Sequence, residues 1–136
     1  MKMKKRSGFS LFELLIALSL MVILSSFVVP NIKKIQNKSN QMTAEVNLRT
    51  FQSCVENYFI ENNIYPSGSL GAKELFETLK TEELIKTSPI NPYTKKAYAD
   101  SDTKGKITYA SSDGEDYTLN LYEADGTTVG LSLNSL

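Results

Sequence analysis

Hydrophobic and polar positions divide this chain unevenly. From Phe9 to Val29 it reads FSLFELLIALSLMVILSSFVV, and of these twenty-one residues only Glu13 is charged. Apolar side chains fall on every face, with no amphipathic period. Twenty-one helical residues rise roughly 31 Å, about the hydrocarbon thickness of a bilayer. Pro30 follows, and from Asn31 the pattern changes. Ala44, Leu48, Phe51, Val55 and Tyr58 recur at 4-3-4-3 spacing and predict one apolar face of a helix. Cys54 and Phe59 widen that face, whereas Gln41, Glu45, Gln52, Glu56 and Asn63 fall mostly off it. Asn62-Asn63 and Pro66-Ser67-Gly68 end the helix. Counted from Phe9 the helical stretch is about 54 residues, roughly 80 Å.

The remainder reads as a small water-soluble head. Tyr65–Ser69 predicts a loop, with Ser69 as a candidate helix cap. Ala72–Leu79 predicts a short helix with Leu75, Phe76 and Leu79 inward. Thr81–Ile85 predicts a further capped turn, its early acids suiting a helix N-terminus. Pro89 and Pro92 exclude regular helix or central strand around Ile90-Asn91. Three alternating segments follow: Lys106–Ala110, Asp116–Tyr122 and Thr127–Leu133. An Asp113-Gly114 turn separates the first two, and Ala124–Gly126 turns into the third. In the third, Val129, Leu131 and Leu133 share a face. The fold class is α+β: one long helix packed on a small three-stranded antiparallel sheet. The expected parts are 1–8, 9–30, 31–64 and 65–136: basic leader, apolar helix, amphipathic half-helix and head.

Charge sharpens this picture. Lys2, Lys4, Lys5 and Arg6 precede the apolar run with no acid among them. They hold the N-terminus on the cytoplasmic side and place the head outside, across a single span of the cytoplasmic membrane. Residues 9–136 carry eleven Lys/Arg against fifteen Asp/Glu, which argues against a nucleic-acid partner. The chain has no His and a single Cys54, so the commonest proton shuttle and an internal disulfide are both absent. No phosphate loop or Cys/His metal spacing appears, and the residues point away from an enzyme. The apolar run is long for a cleaved secretory signal, and no Ala-x-Ala-like site follows it. Glu13 sets the run apart from a plain anchor. A carboxylate in a membrane segment costs up to a few kcal/mol, less near the helix end, and implies a partner.

The stretch Lys5-Arg6-Ser7-Gly8-Phe9-Ser10-Leu11-Phe12-Glu13 resembles the class III signal of prepilins, the family of type IV pilins and pseudopilins. The segment Pro89-Ile90-Asn91-Pro92-Tyr93 resembles a proline-rich loop of major pseudopilins. The resemblance implies a prepilin peptidase cutting between Gly8 and Phe9 and methylating the new amine of Phe9. It implies that Glu13 pairs with that amine on a neighbouring copy. Pro30 cannot donate to the Ser26 carbonyl and crowds it, which predicts a kink or, inside a packed filament, a melted stretch near residues 24–30. The resemblance implies a structural filament subunit, in a pilus or a type II secretion pseudopilus. Its partners are membrane lipid, then other copies of itself and minor subunits, with an inner-membrane assembly platform. Major pseudopilins also hold calcium in a late loop, for which Asp113, Asp116 and Asp125 are the candidate ligands here; otherwise no cofactor is expected. The alternative is a membrane-anchored ligand- or calcium-binding module that keeps its leader and does not polymerise.

Overall fold

A computed structural model describes residues 8–136. The chain divides into two compact units, one ending at Gln36 and the other spanning Asn37–Leu136. Helix α1, Leu11–Asn62, belongs to both. In the first unit its apolar side chains from Leu11 to Val28 are exposed, and it is long and apolar enough to cross a membrane.

In the second unit the 4-3-4 stripe does what its spacing predicts. Ala44, Leu48, Phe51 and Val55 are buried, Tyr58 and Phe59 partly so. Cys54 is buried beside them, its thiol 3.6 Å from the Leu84 carbonyl, and burial pushes its pKa up. The helix ends as expected: Asn63 takes a left-handed φ of 56° and its N–H bonds the Phe59 carbonyl at 2.7 Å.

Against this stripe lie α2, Ala72–Thr81, and a sheet of four antiparallel strands rather than three. The order is β1 (Gly68–Gly71), β4 (Ile107–Ser111), β5 (Thr118–Tyr122) and β6 (Val129–Asn134). Strand β1 is the addition. It falls where a loop was expected, because Gly-Ser-Leu-Gly has no alternation and Gly68 sits at φ 109°. Its pairing partner, not its composition, makes it a strand: Leu70 lies opposite Tyr109 and Gly68 opposite Ser111. The cap of α2 moves accordingly from Ser69 to Gly71, whose N–H donates to the Glu74 carboxylate at 3.3 Å. A Cβ at Gly71 would lie 2.2 Å from Asp100 Oδ1, so a larger residue there would have to turn the exposed Asp100 carboxylate aside.

Three further expectations are corrected. Thr81–Ile85 does not start a helical turn; it closes α2. Leu84 N–H bonds the Leu79 carbonyl and Glu83 N–H the Lys80 carbonyl, both at 3.0 Å, with Glu83 left-handed at φ 58°. Strand β6 begins at Val129, because Asp125 draws Thr127 and Thr128 into its turn. Val129 also leaves the face of Leu131 and Leu133. Leu131 pairs Leu121 but Val129 pairs Tyr122, a bulge that sets two residues of β6 against one of β5.

A separate ribbon, β2 (Ile90–Asn91) and β3 (Lys96–Ala97), carries the proline-rich segment. Asn91 is wholly buried at its centre. Its amide donates to Asp102 Oδ2 and the Lys104 carbonyl, each at 3.0 Å, and its oxygen accepts Tyr93 N–H at 2.9 Å. Gly105 closes over this knot at φ 63°, where a Cβ would lie 2.5 Å from Tyr93 Cδ2.

Candidate assembly site on the N-terminal helix

Residues 8–13 show a helix start built from the chain's own groups. The Ser10 carbonyl accepts the first helical bond, from Leu14 N–H at 3.1 Å. Ser10 Oγ accepts Phe12 N–H at 3.2 Å, and Glu13 Oε2 accepts Ser10 N–H at 2.8 Å. Glu13 closes its half of a Ser-x-x-Glu cap while Ser10 Oγ caps one residue earlier, at Phe12 N–H, and a carboxylate is placed at the positive end of the helix dipole. The Ser10–Glu13 spacing carries the signature in plain sequence, although Ser10 has no role in the expected site. Phe9, just outside the cap, is 80% exposed. Gly8 precedes it in open space: a Cβ there would meet nothing within 4 Å. Among the described residues nothing packs on position 8. The expected leader cations Lys2, Lys4, Lys5 and Arg6 lie outside the described residues.

Helix α1 continues across Pro30 without interruption, so the single chain has no melted segment at 24–30. Nor do the nearby hydroxyls serve the carbonyl that Pro30 leaves without its helical donor, that of Ser26. Ser25 Oγ bonds the Met21 carbonyl at 2.7 Å and Ser26 Oγ the Ile23 carbonyl at 2.6 Å. Ser19 and Asn31 likewise bond carbonyls one turn back, Leu15 and Phe27. The helix thus satisfies its own polar side chains and leaves an apolar exterior, as lipid or packed helices require.

The three candidate calcium ligands are held by turns. Asp113 Oδ1 accepts Glu115 N–H at 3.0 Å, and Asp116 Oδ1 accepts Ser135 Oγ at 2.8 Å. Asp125 accepts the N–H groups of Thr127 and Thr128, both at 2.9 Å, and the Thr128 hydroxyl. These bonds hold the Asp125 carboxyl down at about 2. Among the described residues no group of three or more His, Cys, Asp or Glu is placed to hold a metal ion.

Glu56 is a polar contact that the stripe hid. It lies on the rim of the apolar face, where its carboxylate accepts Tyr65 Oη at 2.9 Å and Tyr117 Oη at 2.6 Å. Tyr65 stacks on Phe59, with centroids 4.5 Å apart, and meets Tyr117 edge-on at 4.8 Å. Helix end, connecting loop and sheet are joined through one carboxylate.

Residues 3–29 match the prokaryotic N-terminal methylation motif, and residues 31–134 match the family model of type II secretion system protein G. A type II secretion system core protein G from Vibrio cholerae is 31% identical over 67% of this chain and 56% of its own length. That of Pectobacterium carotovorum is 26% identical over 68% of this chain and 59% of its own. The type IV major pilin protein PilA of Myxococcus xanthus is 33% identical over 45% of this chain and 28% of its own. This chain spans less than two thirds of the length of these relatives. No solved structure gives a significant match. With the family model covering nearly all of the chain beyond Pro30, the chain belongs to the type II secretion system protein G family.

Proposed function

We propose that this chain is a structural subunit of a type IV filament system of the secretion pseudopilus kind. It is held in the cytoplasmic membrane by α1 with its head outside, cut between Gly8 and Phe9, methylated at Phe9, and assembled through the apolar helix. The observation that carries this reading is the first turn of α1. A methylation motif runs into an apolar stretch whose side chains are exposed from Leu11 to Val28, and the one carboxylate of that stretch sits beside the backbone that cleavage would free.

The chemistry follows from those residues. A glycine on which none of the described residues packs suits recognition by a peptidase, whose active site a side chain would obstruct. Cleavage leaves a cationic amine on Phe9, one residue from the Ser10 N–H that Glu13 holds. Packing the apolar helices of several copies removes Glu13 from water. An unpaired carboxylate there is costly, and a cation brought against it offsets that cost. The Phe9 amine of a neighbouring copy supplies the cation. Because one axial offset brings the two together, the pair sets register as well as energy. Pro30 leaves α1 with a weakened turn that packing can open. The partners are other copies, minor subunits, the peptidase and the assembly platform.

The test is the intact mass and N-terminal sequence of the protein from its native membrane, with and without prepilin peptidase. The expected product starts at Phe9, is one methyl group heavier than its sequence, and disappears without the peptidase. A chain retaining the leader in both strains would overturn the reading in favour of an anchored binding module.

A further inference from the structure

The turns of α1 that follow Pro30, residues 31–36, are exposed throughout. They carry Lys33 and Lys34 side by side between Ile32 and Ile35, which are 55% and 67% exposed. With about 100° between successive residues, the two isoleucines project from one side of the helix and the two lysines from the other. Asn31 turns its amide back to the Phe27 carbonyl at 3.3 Å, so the lysines are the charged groups offered outward here. The sequence sets no acid near them. From Leu14 to Ala44 it has Lys33, Lys34 and Lys38 and neither Asp nor Glu, so no carboxylate stands one helical turn from either lysine.

Depth decides what meets this pair. The apolar run closes at Val29, and Lys33 and Lys34 lie four and five residues on. That is about 6 and 7.5 Å along a helix. The headgroup layer on each side of the hydrocarbon core is about 5–7 Å thick. Both ammonium groups therefore stand at the level of the lipid phosphates. The exposed isoleucines at the same level border the acyl chains, the division that long cationic side chains make at a membrane interface. Topology does not account for the pair. Lys2, Lys4, Lys5 and Arg6 hold the N-terminus inside, and lysines at the outer end of the span work against that bias.

We infer that Lys33 and Lys34 bind the phosphates of anionic phospholipid in the outer leaflet while the subunit is stored in the membrane. This rests on the membrane placement proposed above and names the class of lipid met there. Anionic lipid is selected because the cation of a zwitterionic headgroup offsets the attraction of its phosphate for a lysine. Each lysine at such a surface adds about five-fold to the preference. The contact has to break when α1 leaves the bilayer for a filament, and it weakens as salt shortens the screening length.

The test uses the full chain, purified from membranes into neutral detergent micelles and offered phosphatidylglycerol and phosphatidylcholine in equal amounts. Native mass spectrometry counts the lipids retained. The unaltered chain is expected to prefer phosphatidylglycerol, and Lys33→Gln with Lys34→Gln to lower that preference roughly ten-fold or more. Lys33→Arg with Lys34→Arg keeps it to within about two-fold, since the charge stays. So does Lys73→Gln with Lys80→Gln, which removes equal charge from exposed positions of α2. The leader is the same in every variant, so the differences report the outer end of the span. An equal preference in the unaltered chain and the Lys33→Gln, Lys34→Gln variant overturns the contact. So does displacement of the lipid by inorganic phosphate, which would make the ligand a free anion. If the unaltered chain is recovered outside the membrane fraction, the membrane placement falls and the contact with it. If it is membrane-held, and the glutamine pair blocks filaments without changing lipid preference, the lysines serve a neighbouring subunit and the lipid contact alone is overturned.

Discussion

Glu13 Oε2 accepts the backbone N–H of Ser10 at 2.8 Å, so the one charge in the apolar helix is held at the helix start before any other copy arrives. In the proposed assembly this carboxylate also meets a neighbour's amine, and its second oxygen, which the cap does not use, can accept that cation. The cap is worth about 0.5–2 kcal/mol, whereas an uncompensated buried charge costs more than that.

The two roles separate by substitution. Glu13→Gln keeps an oxygen that can accept Ser10 N–H but removes the charge. Glu13→Ala removes both. Both variants should be cut normally at Gly8 and both should fail to enter filaments. Amide exchange at the first turn of α1, measured in lipid, should speed up only in Glu13→Ala, by the roughly 0.5–2 kcal/mol of a lost cap. Normal filament yield from Glu13→Gln would remove the charge pair from the assembly scheme.

The apolar run, the 4-3-4 stripe and three of the four strands were legible because each is a local periodicity tied to burial. Residues 68–71 were not, because Gly68 and Gly71 carry no pattern and only the edge of β4 makes a strand of them. The place of Val129 was hidden for a related reason: a bulge is a property of two paired strands, and neither sequence alone contains it. Within the site, Glu13 stood out as a charge in an apolar field. Its partner Ser10 is equally legible as the start of a Ser-x-x-Glu spacing, although the same residues also fall inside the processing motif. Glu56 had no local signal, since Tyr117, its closer partner, lies sixty-one residues away.

Glu56 joins α1 to the loop before β1 and to the residue that leads into β5 through two tyrosine hydroxyls. Glu56→Ala leaves the buried Tyr117 hydroxyl without that acceptor, which should cost about 1–3 kcal/mol in the chemical denaturation of the head. Adding Tyr117→Phe to Glu56→Ala should return part of that loss, because the orphaned donor is gone too. A double variant as unstable as the sum of the two singles would show that the bond is not the coupling between them.

The head should lose stability above pH 10. Burial raises the hydroxyls of Tyr98 and Tyr109 to about 12 from their ordinary 10. Between those values the unfolded chain has released the proton and the folded chain still holds it. Stability is complete below pH 10 and falls as pH rises towards 12. A two-unit shift corresponds to on the order of 2–3 kcal/mol per tyrosine. Denaturation midpoints measured across pH 9–12 should decline, and Tyr98→Phe should flatten the decline. An unchanged slope in that variant would assign the alkaline loss to other groups.

Asn91 tests the ribbon most severely, because its two side-chain ends are used in opposite senses. Its amide donates twice, to Asp102 Oδ2 and the Lys104 carbonyl, and its oxygen accepts from Tyr93 N–H. Asn91→Ala removes all three bonds from a fully buried site and should destabilise the head by about 2–4 kcal/mol. Asn91→Asp is the smaller change in shape but the worse one in charge. It turns the donor into a second acceptor facing Asp102 and a carbonyl, in a place water does not reach. At neutral pH it should be at least as destabilising as alanine, because a buried unpaired carboxylate is costly. Lowering the pH should help it more than it helps Asn91→Ala, since a protonated carboxyl can donate to Asp102 again. Melting curves of the two variants at pH 5 and pH 7 decide the matter. If Asn91→Asp is as stable as the unaltered chain at pH 7, the carboxylate has found water or a cation there, and the ribbon is looser than its hydrogen bonds imply.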